Sequence, residues 1–331
     1  MPPRYVVSRF AFVSWSDGNV QLTSPVSRKT LLASDPSMLS VLSAFATPRT
    51  IDDVIGESQE LATVIDEWIA ASILVDADTP EPAALQHWDR DALALHASSR
   101  DPKWRKTPGH QTPAIAPRRS NVSVPLAPRG AGAVDTELAA LLDARRSRRT
   151  WASAPIAFQT FSDFLWLSAR NRTDERRRKS VSRPYPSGGA AYSLELYPVV
   201  AEQAVDGLNC GVYRYLPQEH ALEVVSPFSA DFRPFLVAAG KAARTTPAPV
   251  AIIITSRYAR QSEEYSRLAY SLVLKEVGCL FQTFYLVAES LGLAACAIGG
   301  RTPPGLLAEL CRTTELEEPV VGEFALGVAS D

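Results

Sequence analysis

LLDARRSRRTW, Leu141 to Trp151, places four arginines in the five positions 145–149 of a chain whose formal net charge is only -2. Like charges repel, so the cluster costs stability unless an anion offsets it. A guanidinium fork matches phosphate oxygens two at a time, and a serine hydroxyl adds a donor. Arg145, Arg146 and Ser147 therefore form a candidate phosphate grip, with Arg149 aimed further along the same ligand. The plain alternative is a solvated basic end of the helix VDTELAALLDARRS, where arginines complement the helix dipole.

Around this stretch, helices and strands alternate. FSDFLWLSA reads as a helix, YSLELYPVVAE as a strand, and GVYRYLPQEHALEVV as a hairpin turning at Pro217-Gln218-Glu219. PVAIIITSR reads as a strand buried on both faces. A long helix, Glu263 to Leu291, precedes the strand AACAIGG, a short helix after Pro303-Pro304, and a last strand, VVGEFALGV. The alternation predicts an α+β domain over 135–331, a central sheet packed between helices.

Residues 1–78 read as a small winged-helix-like module. YVVSRFAFVSW and NVQLTS turn at Asp17-Gly18, a hairpin signal. The helices PSMLSVLSAFA and IDDVIGESQELATVIDEWIAASI follow, with Thr50 and Asp53 able to cap the second, and ILVDAD closes the unit as a strand. Such a module either grips a peptide or nucleic acid or serves only for docking and folding. Residues 79–134 read as a linker with one helix, AALQHWDRDALALHASS, then prolines at 102, 108, 113, 117, 125 and 128, a composition that buries no core.

Two glycine pairs mark places where backbone can approach a flat ligand. In RPYPSGGAAYSLELYPVV, Pro186 stiffens the approach, Ser187 offers a hydroxyl, and Gly188 and Gly189 lack Cβ. In LGLAACAIGGR, Gly299 and Gly300 follow a buried strand. Each alone is weak.

Their order is specific. RRSxR, then PSGGA…LELY, then GVYRY, then a long helix ending LGL…C-IGG, then EEPVxGEFALG resembles the SagB-type dehydrogenases of the FMN-dependent nitroreductase superfamily. The likeness covers 135 to the C-terminus and extends more loosely over the first module and ALxxHxxSR (Ala94, Leu95, His96, Ser99, Arg100). The resemblance implies a nitroreductase-like fold and FMN as the anion. Arg145, Arg146 and Ser147 would hold its phosphate and Arg149 the N1/O2 edge of the ring, where a cation stabilises reduced flavin. Pro186, Ser187, Gly188, Ile298, Gly299 and Gly300 would line the ring. It also implies a homodimer with the long apolar helix at its interface.

The family reaction is azoline oxidation. A thiazoline or oxazoline of a precursor peptide, made by a cyclodehydratase partner, loses a proton to a base and a hydride to flavin N5, and dioxygen reoxidises the flavin. The family's KYGxRAY stands here as EYSRLAY, so Glu264 replaces the lysine and Tyr265 is kept. Cys279 replaces a family histidine. Tyr265 and Glu264 are the candidate catalytic residues, against the plain reading that Glu263 and Glu264 are a favourable acidic first turn of a helix. The competing functions are an NAD(P)H-dependent flavin or nitro reductase and a flavin-binding peptide scaffold without azoline oxidase activity.

Composition excludes other classes. At 46% hydrophobic and 21% charged the chain suits a folded protein. Its charge balance argues against nucleic acid. The apolar stretch Leu268 to Leu293 is broken by Lys275, Glu276, Gln282 and Glu289, which reads as a buried helix and not a membrane span. MPPRYVVSRF lacks a secretory h-region. Cys210, Cys279, Cys296 and Cys311 form no CxxC pair, and four histidines give little for a metal site, so reduced thiols, no metal and a cytoplasmic location are expected. The basic run RTDERRRKSVSR, Arg172 to Arg183, reads as a solvated loop or as a lure for an acidic peptide.

Overall fold

The computed structural model describes residues 2–16, 18–33, 35, 37–56, 58–99, 136–172, 181–226, 232–243, 246–299 and 304–330. Asp17 of the expected hairpin turn, Arg100, the prolines at 102–128, residues 173–180 of the basic run, Gly300 and Pro303 lie outside them. Up to residue 99 the elements are β1 (Tyr5–Val7), β2 (Phe12–Ser16), β3 (Asn19–Ser24), β4 (Lys29–Ala33), α1 (Met38–Ala44), α2 (Ile51–Ile55), α3 (Gln59–Ala70), β5 (Leu74–Asp76), α4 (Ala83–Gln86) and α5 (Arg90–Ser99). Then come α6 (Thr136–Ala144), α7 (Phe158–Ala169), β6 (Leu194–Val200), β7 (Gly211–Leu216), β8 (Ala221–Ser226), α8 (Arg233–Ala243), β9 (Val250–Ser256), α9 (Tyr258–Tyr265), α10 (Ala269–Ser290), β10 (Leu293–Ile298), α11 (Pro304–Cys311) and β11 (Val320–Val328).

The chain divides into two compact units. The first joins the N-terminal hundred residues to Arg257–Val273 and Thr314–Pro319. Its strands β2, β3 and β4 form an antiparallel meander in which Val13, Leu22 and Leu31 share one face. That face packs with Leu42 of α1, Phe45 at its C-terminal cap, and Ile65 and Trp68 of α3, while β1 pairs with β5. Two helices expected as single pieces are broken. Gly56, at φ 57°, ends α2, and Ser58 accepts from Leu61 N–H to start α3. Asp89 accepts from Asp91 N–H at 3.0 Å and so separates α5 from α4. Thr50 caps α2 by accepting from Asp53 N–H at 3.2 Å, as the sequence indicated.

The second unit is built on a six-stranded sheet of order β10-β11-β9-β6-β7-β8, antiparallel at every pairing. All seven residues of β6 and of β9 are buried, which is why both read as near-continuous apolar runs. The C-terminal part of α10 lies on this sheet. Phe284 packs 5.0 Å from Phe324, and a Cβ at Gly322 would stand 3.0 Å from both Phe281 and Val277, so β11 needs its glycine for helix and strand to meet.

The long helix expected from Glu263 is two. Ser266 adopts φ 44°, a left-handed conformation that cannot carry the i→i−4 ladder, and a single 3₁₀ turn (Ser266–Leu268) joins α9 to α10. By length and composition Tyr258–Ser290 would pass for a membrane span, at mean hydropathy 1.3. Its Glu276, however, is 2% exposed and bonded within the sheet unit.

Candidate functional site

The helix before the arginine run ends at Ala144, so the arginines follow it rather than forming its last turn. Arg148 N–H donates to Ala295 O and Ala152 N–H to Val328 O, both at 3.0 Å, which lays the run along β10 and β11. Arg148 is paired: its Nη2 stands 2.8 Å from Glu289 Oε1 of α10. This pair holds the Arg148 pKa above its ordinary value. Among the described residues no carboxylate pairs with Arg145, Arg146 or Arg149. Arg145 lies over the Tyr285 ring, 5.5 Å from its centroid. Arg146 is exposed and donates to Ala144 O at 3.3 Å. Arg149 lines a cleft of about 460 Å³ with Ala242, Cys296, Ala297 and Gly299. Burial pushes the Cys296 thiol up, and the Arg149 guanidinium beside it works against that.

Ser147 Oγ lies 2.9 Å from Tyr285 OH, which also accepts from Ala297 N–H at 2.7 Å. Tyr285 thus ties the serine of the arginine run to β10, whose last residue, Ile298, is buried and precedes Gly299. Among the described residues nothing lies within 4 Å of a Cβ placed on Gly299. Gly300 lies outside the described residues.

The second glycine stretch is a tight turn. Gly189 (φ 61°), Ala190 (φ 57°) and Tyr192 (φ 46°) are all left-handed, costing of order 1–2 kcal/mol for each residue that carries a Cβ. Ser187 Oγ accepts from Tyr192 N–H at 2.9 Å and donates to Glu276 Oε2 at 2.9 Å. Below the turn Arg183, 5% exposed, donates to Leu194 O (2.7 Å) and Tyr185 OH (2.9 Å). Burial opposes its charge, but Tyr185, Glu195 and Glu276 outweigh burial and raise its pKa. Burial pushes the Tyr185 phenol up to about 12.

Tyr265 and Glu264 fall in the other unit, within Arg257–Val273. They close α9, and Glu263 stands in the same final turn. The reading of the two glutamates as a favourable acidic first turn is therefore wrong, because negative charge at a helix C-terminus opposes the dipole. Tyr265 is part-exposed, and its phenol is pushed up first by desolvation and then by the hydrogen bond that Glu264 accepts. In the same unit His96, 1% exposed, bonds Tyr270 OH (2.9 Å) and Glu315 Oε2 (3.1 Å).

Sequence reasoning missed Arg183, Glu276, Tyr285 and Glu289. The available signal was charge inside an otherwise apolar helix, since Glu276 and Glu289 interrupt α10. A second polar cluster in the sheet unit was also missed. His220 lies 2.9 Å from Ser162 Oγ and 2.9 Å from Tyr215 OH, at a cleft of about 420 Å³ lined by Phe158, Phe161, Leu165 and Leu222.

The second unit is thus an antiparallel sheet backed by the apolar helix α10, with the arginine run and a glycine turn beside it. Residues 142–328 match the Nitroreductase family, more than half of the chain, and the chain belongs to that family. Members of this family bind flavin. Residues 5–104 match a second family, Cyanobactin oxidase ThcOx. Protein MJ1384 of Methanocaldococcus jannaschii, described as a nitroreductase, is 34% identical over 50% of this chain and 79% of its own length. The Microcin B17-processing protein McbC of Escherichia coli is 27% identical over 46% of this chain, the match spanning 57% of McbC. A solved E. coli Microcin synthetase McbBCD complex, with truncated pro-MccB17 bound, matches in fold at TM-score 0.52 and 18% identity, covering 77% of this chain and 99% of that one.

Proposed function

We propose that this chain is a SagB-type, FMN-dependent dehydrogenase that oxidises thiazoline or oxazoline rings of a ribosomally made precursor peptide. The observation that carries the reading is the joining of a ThcOx match over 5–104 to a nitroreductase match over 142–328 in one chain, since a simple nitroreductase needs no such module. The likeness to McbC, a peptide-processing protein, supports it.

The residues present fit FMN. Three guanidinium groups within five positions, none with a carboxylate partner among the described residues and one of them on a cleft beside Gly299, are suited to a dianionic phosphate and an electron-rich ring. Arg145, Arg146 and Ser147 would hold the phosphate. Arg149, Pro186, Ser187, Gly188, Ile298, Gly299 and Gly300 would border the ring. FMN, when bound, supplies acceptance of a hydride. Tyr265 would take the ring proton while passing its own to Glu264, which already accepts its hydrogen bond. The domain division at 78 and 134 and a cytoplasmic location belong to the same reading. So does a homodimer, supported by Leu274, 40% exposed on α10, beside the part-exposed Cys279, Phe281 and Leu286. A cyclodehydratase would supply the azoline peptide.

The test is the visible spectrum of the purified chain, followed by incubation with an azoline peptide. A yellow protein that removes two hydrogens from the peptide supports the reading. Glu264 in place of lysine favours the scaffold alternative, which bound FMN without that mass loss would establish. Steady NAD(P)H oxidation would favour the reductase instead.

A further inference from the structure

Ser187 has one hydroxyl proton, and it goes to Glu276. Its oxygen meanwhile accepts the Tyr192 amide across a turn in which Gly189, Ala190 and Tyr192 are all left-handed. The Ala190 and Ala191 amides close back on Ser187 O (3.1 Å) and Gly188 O (3.2 Å). The acceptor that anchors this arrangement is a carboxylate 2% exposed, 89 residues away on α10. A buried carboxylate is costly unless it is paired and hydrogen-bonded, and strained backbone persists only where its surroundings over-determine it.

We propose that Glu276 is the positioning residue of the glycine turn. Through Ser187 it fixes Ser187–Tyr192 in the left-handed form, so the turn offers a bound ring its backbone and not the serine hydroxyl. The inference rests on the reading of this turn as a flavin contact, and it deepens that reading: Ser187 acts on the cofactor through its place in the turn.

Hydrogen exchange of the apo chain resolves the question without reference to activity. In the wild type the Ala190, Ala191 and Tyr192 amides exchange slowly. Glu276→Ala and Ser187→Ala release all three, whereas Glu276→Gln, whose amide oxygen still accepts from Ser187, keeps them protected. FMN titration follows the same order, with affinity falling by about tenfold or more in the two alanine variants, as for loss of a hydrogen bond to a charged group, and staying within about twofold of wild type in Glu276→Gln. Amides of α10 around Phe284 report whether each variant is folded, and Ser187→Ala leaves no hole in the core if Glu276→Ala fails. Wild-type protection of Ala190 and Ala191 in a folded alanine variant would overturn the proposal. A wild-type chain that binds no FMN, yet shows the expected exchange pattern, overturns the flavin reading and leaves the anchoring of the turn standing.

Discussion

Arg148 grips Glu289 at two points, Nη2 to Oε1 at 2.8 Å and Nε to Oε2 at 3.4 Å, and this one pairing sorts the four arginines of the run. Arg148 is a strut between the run and α10, and among the described residues the other three have no carboxylate partner.

Substitution should separate these roles. Arg146→Ala is expected to weaken FMN about ten- to a hundredfold, the loss of one charge-assisted contact, with little change in melting temperature because Arg146 is exposed. Arg148→Ala should do the reverse, lowering the melting temperature by about 2–4 °C per kcal/mol lost and leaving FMN affinity within about twofold. Flavin fluorescence titration and thermal unfolding read the two effects. Equal FMN loss in both variants would refute the division.

Tyr265 carries the proton step in the proposed reaction. Tyr265→Phe should slow azoline oxidation by about 10²–10⁴ while FMN still binds. The phenol's pKa is raised, so the neutral form holds at neutral pH. In that relay the neutral phenol is the working form, so flavin reduction in single turnover should hold level across neutral pH and change only as pH nears the raised phenol pKa, and the phenylalanine variant should lose that change. A variant with wild-type turnover would move the base elsewhere.

His220 makes stability depend on pH. Burial depresses its folded pKa below the ordinary 6.5, opposed by Asp163. Between the folded and unfolded values the unfolded chain binds more protons, so the contribution is present above about pH 6.5 and is lost as pH falls through the folded pKa. Melting temperature followed from pH 7.5 down to 5 should drop more steeply in the wild type than in His220→Gln. Parallel curves would show that another group titrates.

Gly322 tests the contact between α10 and β11. A methyl there meets Phe281 and Val277 at 3.0 Å, so Gly322→Ala should cost about 1–3 kcal/mol by overpacking. Chemical denaturation measures it, and an unchanged midpoint would mean that the helix can move away.

Much of this architecture was visible in the residues themselves, and what was hidden was hidden for a physical reason. β9 declared itself because all seven of its residues are buried, and the β7–β8 hairpin because its turn is local. The order β11-β9-β6 was not legible, since nothing in VAIIITS names a neighbour many residues distant. The cation cluster at 145–149 stood out, but which arginine is neutralised depends on a glutamate 141 positions later. Ser187 looked like a donor to a ligand until its own acceptor was known. The interruption at Ser266 left no trace because serine, unlike glycine, does not announce a left-handed residue.

The first unit borrows Arg257–Val273 and Thr314–Pro319, and Trp88 Nε1 donates to Leu316 O across 228 residues. At the usual pace of synthesis, roughly 5–20 residues per second, Trp88 waits on the order of ten to fifty seconds on the ribosome before its partner emerges. The N-terminal hundred residues are therefore made well before the segments that complete their unit. A nascent chain halted before residue 314 would expose the indole and the His96 pocket to chaperones, and cutting the gene between the two halves would orphan both.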